Sequence, residues 1–381
     1  MYCKDIELTN FRNIDEEKIE FTDGINVIYG QNAQGKTNIL EAIYLFARGK
    51  SFRAFKDREL IRFGNNVSTL KLNFNKDNSN IYLGVEIGKT GKKFYRNKVK
   101  VDKTSEIIGE FRAVLFCPSH LGIIKDAPSV RRKFLDVAIS QLRPIYIKMM
   151  TKYNSLIENR NAILKMDPIQ RQNSLMMLDV YSEELAYLCA DISMMRVDYI
   201  KKLDYWVKIF FEEMTKGKET PKITYETSIG KNDFSDREVL KNEYLSLLKN
   251  NFERELKYGA TLYGIHKDDL KIELNDMDSR LYSSQGQQRS LALAMKMAEG
   301  EISKEYSGEY PVFLFDDVLS ELDDNRKAYI LSNISKRQVI ITACDKSGFD
   351  KADVANFIKI NSGKKVEFDE EIEKIEIEGI N

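Results

Sequence analysis

The 381-residue sequence has little of what marks disulfide-rich, zinc-binding or membrane-spanning proteins. Its four cysteines are scattered and show no C-x-x-C spacing, so we expect neither a disulfide framework nor a zinc site. No run of about 18 apolar residues occurs, which predicts no membrane span. Residues 1–5 are too charged for a signal peptide, and we expect a reduced protein of the cytoplasm.

Net charge is also absent, because 59 Lys and Arg residues balance 59 Asp and Glu residues. Global charge therefore neither indicates nor excludes a nucleic-acid partner, and any such binding depends on local patches. Residues 71–103 hold nine Lys or Arg against three acids, and residues 131–165 hold eight against two. The tail from Glu367 onward is acidic. A hydrophobic share of 43% is enough for a buried core, so the chain is not a disordered one.

A strand, a glycine loop and a helix follow one another near the N-terminus. Residues 25–29 form an apolar strand, and apolar residues at helical spacing occupy positions 39–46. Between them the chain matches G-x-x-x-x-G-K-[ST] in full, with Gly30, Gln31, Asn32, Ala33, Gln34, Gly35, Lys36 and Thr37. Backbone N–H groups of such a loop wrap phosphates, Lys36 reaches the β- and γ-phosphates, and the Thr37 hydroxyl ligates Mg²⁺. This predicts an ATP and magnesium site; a glycine-rich turn without a ligand is the alternative.

A second strand ends in two carboxylates. Residues 312–315 are apolar, and Asp316 and Asp317 follow at the carboxyl end, where ligands bind in open parallel sheets. We predict that Asp316 holds Mg²⁺ directly or through water and that Asp317 polarises the attacking water. Two acids that cap a loop are the alternative.

Residues 283–289 resemble the Leu-Ser-Gly-Gly-Gln signature of ABC-type ATPases, with Ser284, Gly286 and Gln287 at the matching positions. Taken alone, a polar N-cap of an ordinary helix would explain the same residues. Residues 320–323 resemble the D-loop of these proteins and lie just after the acidic strand.

The ABC resemblance implies a composite active site. Ser284 would complete the γ-phosphate site of a second copy, so that ATP closes a homodimer and hydrolysis releases it. Lys36, Asp317 and Ser284 would then carry catalysis, although most ABC-type proteins have glutamate where this chain has Asp317. Residues 339–342 follow as the switch strand would, but the usual histidine is missing, and Thr342 or Ala343 lies at its edge.

The order of patterns predicts an α/β fold, namely a split ABC-type P-loop ATPase head with an α-helical insertion lobe. Residues 67–101 form a predicted β meander, an antiparallel layer attached to the head. Residues 178–210 carry a near-heptad apolar stripe that needs a partner helix. An antiparallel helical hairpin and an ordinary helical bundle both satisfy that need. We therefore expect the head at residues 1–128 and 258–381, which includes a strand at 270–274, and the helical lobe at residues 129–257.

Segments beyond these motifs resemble the RecF family of bacterial DNA repair proteins, relatives of SMC-type ATPase heads. The resemblance runs over nearly the whole chain and is carried by residues 8–13, 50–53, 116–118, 128–136 and 263–270. The chain departs from the family pattern at Ala33, Ser119, His120, Ile265 and Lys267. None of these departures removes a phosphate or Mg²⁺ ligand.

The RecF resemblance implies a protein of DNA replication, repair and the SOS response that binds ATP, Mg²⁺ and DNA. It implies RecR as a partner, RecO and the recombinase RecA as indirect ones, and a slow, DNA-stimulated ATPase that acts as a dimerisation switch. It also implies a nucleotide contact for Arg12. For DNA we expect contacts first from Arg131, Arg132 and Lys133, and second from the basic run that contains Lys92 and Lys93.

Three other functions fit parts of the sequence. The ATPase subunit of a membrane transporter shares the motifs, but the split head, the helical insertion and the missing switch histidine oppose it. An SMC-type tether would need hundreds of heptad residues, far more than the insertion holds. A nucleolytic repair ATPase would need a metal cluster, for which His266 with Asp268 and Asp269 is the one candidate; His120 is the only other histidine.

Overall fold

The computed structural model describes residues 1–230, 233–319, 322–333, 337–347, 349 and 354–366. The chain divides into two compact units. The first, the α/β unit, contains Met1–Pro118 and the chain from Glu309 onward; the second, the helical unit, is Ser119–Gly308. Ser320 and Glu321 of the predicted D-loop and the acidic tail from Glu367 lie outside the described residues.

The strands in chain order are β1 (Tyr2–Phe11), β2 (Ile14–Glu20), β3 (Ile25–Tyr29), β4 (Val67–Lys76), β5 (Ser79–Gly88), β6 (Gly91–Arg96), β7 (Val99–Val101), β8 (Ala113–Phe116), β9 (Pro221–Glu226), β10 (Asp269–Leu274), β11 (Met277–Asp278), β12 (Val312–Asp316), β13 (Val339–Ala343), β14 (Val354–Asn361) and β15 (Lys364–Lys365).

The helices are α1 (Lys36–Arg48), α2 (Gly122–Lys125), α3 (Pro128–Leu142), α4 (Pro144–Leu164), α5 (Pro168–Gln172), α6 (Leu175–Thr215), α7 (Arg237–Asn250), α8 (Phe252–Tyr258), α9 (Ser279–Tyr282), α10 (Gln285–Ser307) and α11 (Asp324–Asn333). Short 3-10 turns occupy Asp57–Leu60, Thr104–Glu106 and Pro118–Leu121. Among the helices that the structure describes, none combines the length and the apolar character needed to cross a bilayer.

A largely parallel sheet forms one layer of the α/β unit, in the order β15-β14-β3-β13-β12-β8. Strands β3, β8 and β12 are buried along their whole length, as expected for parallel strands covered on both faces. Helix α1 packs against β8, β12 and β13. The parallel register of β12 and β13 places Asp316 beside Thr342. The predicted strands at 25–29, 312–315 and 339–342 are therefore confirmed.

The second layer of the α/β unit is an antiparallel sheet in the order β2-β1-β4-β5-β6-β7. Its strands alternate between buried and more exposed positions, as a sheet with one solvated face should; on β4 the buried apolar residues are Leu70, Leu72 and Phe74. The inner face packs against α1 from β1 and β4. This sheet contains the predicted antiparallel layer, and the ABC-type head fold is confirmed.

The helical unit is organised around α6, a helix of 41 residues. The near-heptad stripe forms its buried face, with Leu178, Leu185, Ile192, Tyr199, Leu203 and Phe210 buried. Helix α4 packs on α6 and is joined to it through α5, which is the predicted hairpin. Helices α7 and α10 also pack on α6. Both predicted arrangements are therefore present, because the hairpin is part of a larger bundle.

Residues 258–308 lie in the helical unit, whereas the sequence placed them in the head. Strand β10 pairs with β9 and β11 in a separate antiparallel sheet of three strands, and α10 packs on α6. The burial of β10 alternates along the strand, unlike the continuous burial of β12. That alternation is typical of an antiparallel sheet with one covered face and explains why β10 does not join the parallel sheet.

Candidate functional site

The predicted phosphate loop, residues 30–37, connects β3 to α1. Gly30 has φ of +151°, and a Cβ there would lie 2.3 Å from the carbonyl oxygen of Ile360, so the loop passes too close to β14 for any side chain. Gly35, before α1, also has positive φ, at +108°. Ala33 adopts φ of 65°, in the left-handed region that favours glycine. The alanine, which departs from the family pattern, therefore has the backbone conformation that a glycine would adopt there.

Three further hydrogen bonds fix the phosphate loop from outside. The Asn32 Oδ1 accepts a hydrogen bond from Cys344 Sγ at 3.3 Å, beyond the end of β13. The Gln34 carbonyl accepts the N–H of Gly363 at 2.8 Å, and its side chain accepts the N–H of Ser362. The loop is therefore held by the turn between β14 and β15 as well as by its own strand and helix.

Lys36 lies inside the phosphate loop and is 7% exposed. Its ammonium donates to the carbonyl oxygens of Gly30 at 2.5 Å and Gln31 at 2.8 Å. An ammonium has three N–H donors, so one remains for a phosphate oxygen at the same point. The N-terminus of α1, which begins at Lys36, adds partial positive charge.

Asp316 and two threonine hydroxyls form the polar centre of the site. The hydroxyls of Thr37 and Thr342 donate to Asp316 Oδ1 at 2.8 and 3.0 Å. Burial raises the pKa of Asp316, and these two hydrogen bonds lower it in part. Mg²⁺ prefers oxygen ligands and keeps several waters, so one carboxylate and one hydroxyl beside a phosphate suit it. Asp316 and Thr37 would hold the ion.

Asp317 has φ of 54°, a left-handed conformation rare for residues with a side chain. Its N–H donates to the Thr342 hydroxyl at 2.9 Å, so Thr342 fixes both acids at once. Asp317 lines a cavity of about 250 Å³ together with Thr342, Cys344 and Lys327. Strained backbone of this kind is common at active sites, where the surrounding structure maintains it.

Arg12 contacts α1 and is oriented by hydrogen-bond acceptors. Its Nε and Nη2 donate to both carboxylate oxygens of the buried Glu41, at 2.9 and 2.7 Å, and Nη1 donates to the carbonyl of Glu59 at 2.9 Å. A guanidinium has five N–H donors, so the fork on Glu41 leaves donors for a nucleotide. A nucleotide contact of Arg12 stays a prediction.

In the helical unit, Ser284 is the N-cap of α10 and belongs to a capping box. The N–H of Gln287 donates to Ser284 Oγ at 3.3 Å, and the N–H of Ser284 donates to Gln287 Oε1 at 2.6 Å. The Gln287 amide also donates to Glu219. Ser284 is exposed, and its hydroxyl accepts within the cap, so the O–H proton can still be donated to an external acceptor.

The five residues predicted to contact DNA are in different environments. Arg131 is buried and donates to both oxygens of Asp269, at 2.7 and 2.8 Å. A DNA contact by Arg131 is therefore not supported, because its charge is already neutralised inside the helical unit. Arg132 donates to the Asp268 carbonyl at 2.7 Å, and Lys133 is exposed.

The second predicted set lies on β6. Lys92 is 9% exposed and pairs with Asp57 at 2.7 Å, so its charge is also largely compensated. Lys93 is 57% exposed and pairs with Glu86 at 3.2 Å, an exposed pair that a phosphate can displace. Of these two, Lys93 is the better candidate for a DNA contact.

Comparison with known proteins places this geometry in one family. A family model described as the RecF/RecN/SMC N terminal domain matches residues 2–367. A DNA replication and repair protein RecF from Thermoanaerobacter sp. strain X514 is 41% identical over 95% of this chain and 99% of the relative. A RecF from Clostridium acetobutylicum is 38% identical over 97% and 100%. The chain belongs to the RecF family.

Solved structures agree with that assignment. RecF-ATPrS, described as a recombination mediator protein in the RecFOR pathway, has a TM-score of 0.89 at 38% identity and covers 96% of this chain and 97% of its own. A Pyrococcus furiosus Smc head has a TM-score of 0.56 at 18% identity, with 100% and 99% covered, and shares the fold alone. These relatives do not favour the transporter-subunit and tether alternatives.

The RecF-family histidine His266 does not belong to a metal site. Its Nδ1 lies 2.6 Å from the Tyr153 hydroxyl and its Nε2 lies 3.0 Å from the Thr261 carbonyl oxygen. Burial lowers the pKa of His266 to about 4. Asp269 pairs with Arg131, and no group of three or more metal-ligating side chains occurs among the described residues. The nucleolytic alternative loses its candidate cluster.

Sequence reasoning missed two residues, Thr342 and Glu41, that hold the predicted site residues in place. Thr342 was noted only as the residue where a histidine is usual, and its bonds to Asp316 and Asp317 depend on the register of β12 and β13. Glu41 is fully buried and holds Arg12 and Ser51. The signal for Glu41 was available, because an acid on the apolar face of α1 needs a cationic partner.

Proposed function

We propose that this chain is an ATP- and DNA-binding recombination mediator that dimerises on ATP. With RecR and RecO it would help to load RecA at single-strand gaps during replication, repair and the SOS response. The observation that carries the proposal is the cluster in which Thr37 and Thr342 both bond Asp316 beside Lys36, in a chain of the RecF family. The RecFOR pathway of the solved RecF structures supports the partners.

Nucleotide binding would use the phosphate loop in stages. Backbone N–H groups and Lys36 bind the β- and γ-phosphates, and the α1 N-terminus adds charge complementarity. Bound Mg²⁺ at Thr37 and Asp316 supplies electrophilic stabilisation of the phosphate oxygens. Asp317 orients the attacking water from the cavity that it lines. Because Asp317 is one methylene shorter than the usual glutamate, we propose slow, DNA-stimulated turnover that acts as a switch.

Closure of the dimer would use Ser284 of a second copy. Its oxygen accepts from the Gln287 N–H inside the capping box, so the hydroxyl proton is the group that points outward in this scheme. Gly286 and Gln287 complete the N-terminus of the 23-residue α10, which favours an anion such as the γ-phosphate. ATP would thus be bound by groups of both copies, and its hydrolysis would release them.

Light scattering after size exclusion tests this dimerisation. With ATP and Mg²⁺ we expect a mass near twice 44.2 kDa, and without ATP the monomer. Lys36→Met should abolish the ATP-dependent doubling of mass because it removes ATP binding. Ser284→Arg should also abolish the doubling of mass but should retain ATP binding. Ser246→Arg, on the exposed side of α7, is the matched control and should dimerise normally. Normal dimerisation of Ser284→Arg would rule out the composite site.

The proposed place of action is the cytoplasm, where the DNA lies. Within the helical unit Lys133 is the proposed DNA contact, and on β6 it is Lys93, because both are exposed. Such backbone contacts give affinity with little sequence preference.

A further inference from the structure

We propose that the loop between α1 and β4, residues 49–66, binds single-stranded nucleic acid by stacking a base on Phe55 and pairing phosphates with Lys56 and Arg58. This aromatic-basic loop lies in the α/β unit and is separate from the five DNA contacts predicted above. The inference rests on the proposed DNA-binding function and assigns part of it to a surface.

Phe55 is 99% exposed, so its whole ring faces solvent. Its backbone is nevertheless fixed, because the Phe55 N–H donates to Glu59 Oε2 at 3.1 Å. An apolar ring held entirely in water loses the stabilisation that burial would give. A planar apolar partner is the ligand that such a ring accommodates best.

The base of the aromatic-basic loop is tied to α1. Ser51 Oγ accepts the N–H groups of Arg53 and Ala54 at 2.9 and 2.7 Å and donates to Glu41. Glu41 lies on α1 and is fully buried. Phe55 is therefore presented by the same helix that begins with Lys36, so the surface has a defined position relative to the nucleotide site.

Next to Phe55 the cations outnumber the acids that have no ion-pair partner, since Glu59, whose carboxylate accepts the Phe55 N–H, is the one such acid in residues 55–59. Lys56 and Arg58 are exposed, and among the described residues neither has an ion-pair partner. The acid between them, Asp57, pairs with Lys92 on β6 at 2.7 Å, so it does not offset their charge. Two cations and one carboxylate leave a net positive charge beside an exposed ring, which is complementary to a polyanion with flat apolar groups.

Single-stranded nucleic acid combines these two properties. Its bases have free faces that stack on aromatic side chains, and its phosphates pair with cations. A duplex offers phosphates, but its bases are already stacked on one another. A protein partner would be expected to bind a larger apolar patch than one ring flanked by cations.

A second exposed ring provides a matched control. Phe63 is 103% exposed and lies in the same loop. The cation beside it, Arg62, is paired with Asp15 at 2.6 Å, so Phe63 lacks uncompensated charge next to it. Lys18 on β2 is the matched control for charge, since it is an exposed cation that pairs with Glu20 at 3.1 Å.

Fluorescence anisotropy with the full chain, ATP and Mg²⁺ tests the proposal, using labelled 15-nucleotide oligothymidylate and a 15-base-pair duplex. Phe55→Ala should weaken single-strand binding by about fivefold or more, from the ~1–3 kcal/mol of one base stack. Duplex binding should stay within about twofold, and Phe55→Trp should bind as the parent does. Phe63→Ala should leave both affinities unchanged.

The salt dependence provides a second measurement. Lys56→Ala with Arg58→Ala should reduce the slope of log K against log salt on the single strand by about 1.4, from ~0.7 per contact. Lys18→Ala should leave the slope unchanged.

Three results would overturn the inference: parent-like single-strand affinity of Phe55→Ala, an equal loss on both DNA forms, or an equal loss in Phe63→Ala. If the parent chain binds neither form, the DNA-binding function itself fails and the inference with it. Circular dichroism melting of each variant shows whether it is folded, and the loss must occur in variants that melt with the parent.

Discussion

Two clusters of charged side chains differ in how completely their own partners satisfy them. In the proposed nucleotide site, Lys36 has used two of its three donors, and Asp316 accepts two hydroxyls on one oxygen. In the helical unit, Arg196 donates to Tyr146, to the Ile265 carbonyl and to Asp136, at 2.9–3.0 Å. The first cluster keeps capacity for a ligand, whereas the second is closed.

The comparison shows that a shifted pKa does not by itself mark a functional site. Burial raises the pKa of Asp268, which lies 3.5 Å from Arg196, to about 6. Burial lowers the pKa of His266, whose ring nitrogens contact Tyr153 and the Thr261 carbonyl, to about 4.

The pKa of Asp316 is also raised by burial. Asp316, however, lies in the same site as Lys36, which has an unused N–H donor, and precedes Asp317, which has a left-handed backbone. Unused N–H donors in a loop of fixed shape distinguish the first cluster, whereas the unused acceptor of the second, Asp268 Oδ1, is buried.

The largest expected effect is on stability and comes from removing one partner of a buried ion pair in the helical unit. Arg160 and Glu255 are 1% and 0% exposed and pair at 2.6 Å, and Arg160 also donates to Thr261 at 2.8 Å. Arg160→Met leaves Glu255 charged, buried and unpaired, so we expect a loss of about 3–5 kcal/mol in the free energy of unfolding. Urea denaturation followed by circular dichroism measures it.

The exposed pair Lys152–Glu184, at 2.8 Å, is the matched control for Arg160→Met. Lys152→Ala should cost about 1 kcal/mol or less, because solvent screens that pair. Adding Glu255→Leu to Arg160→Met should restore part of the stability, since the uncompensated charge is gone. A loss below about 1 kcal/mol in Arg160→Met would show that the pair is not closed to solvent.

Measuring the free energy of unfolding against pH tests the buried environment of His266. Its pKa of about 4 in the folded chain is below the ordinary 6.5, so folding favours the neutral ring. The resulting stability is fully present above about pH 6.5 and is lost as pH falls through 4. Between pH 7 and 4, the free energy of unfolding of the parent should fall by about 3 kcal/mol relative to His266→Gln.

Asp268 should change the free energy of unfolding with pH in the direction opposite to His266. Its pKa is raised to about 6 by burial, so the protonated carboxyl is favoured in the folded chain. Its contribution therefore weakens the fold as pH rises from about 4 to 6. Relative to Asp268→Asn, the parent should gain stability on acidification, and the same direction in both variants would contradict the two shifts.

In the proposed nucleotide site, a Thr342 variant tests whether this hydroxyl holds Asp316 and Asp317 in place. Thr342→Val keeps the shape and removes the hydroxyl that bonds Asp316 at 3.0 Å and accepts the Asp317 N–H at 2.9 Å. We expect ATP turnover or Mg²⁺ affinity to fall by about 10- to 100-fold, as for other residues that orient metal ligands. A turnover assay titrated with Mg²⁺ measures both.

Thr342→Ser is the matched control because it retains the hydroxyl, and it should recover most of the activity. ATP binding without Mg²⁺ should be unchanged in Thr342→Val, since Lys36 and the loop backbone are intact. Equal turnover in the valine variant and the parent would remove Thr342 from the site.

Most of the proposed nucleotide site could be located in the sequence because its motifs are local. Residues 30–37 are contiguous, and the strand before Asp316 is a short apolar run. What could not be predicted depends on register and packing. The position of Thr342 against Asp316 follows from the alignment of β12 with β13, and the sequence of β13 alone does not contain it.

The fold was predictable to the same extent. Apolar runs predicted β3 and β12, and helical periodicity predicted α6. The placement of β10 was wrong because a six-residue strand signal does not name its partner, and here the partner is β9 of the helical unit. The basic run at residues 131–133 misled in a similar way, since composition does not show that Asp269 neutralises Arg131.

The smallest expected effect concerns that basic run. Neutralising all three cations would flatten the slope of log K against log salt by up to about 2.7 if each contacted a phosphate of duplex DNA. Because Arg131 is enclosed by Asp269 and by the Asp126 carbonyl at 2.8 Å, Arg131→Ala should leave that slope unchanged. Lys133→Ala should reduce it by about 0.9. Filter binding at several salt concentrations separates the two, and a reduced slope in Arg131→Ala would mean that DNA opens the Arg131–Asp269 pair.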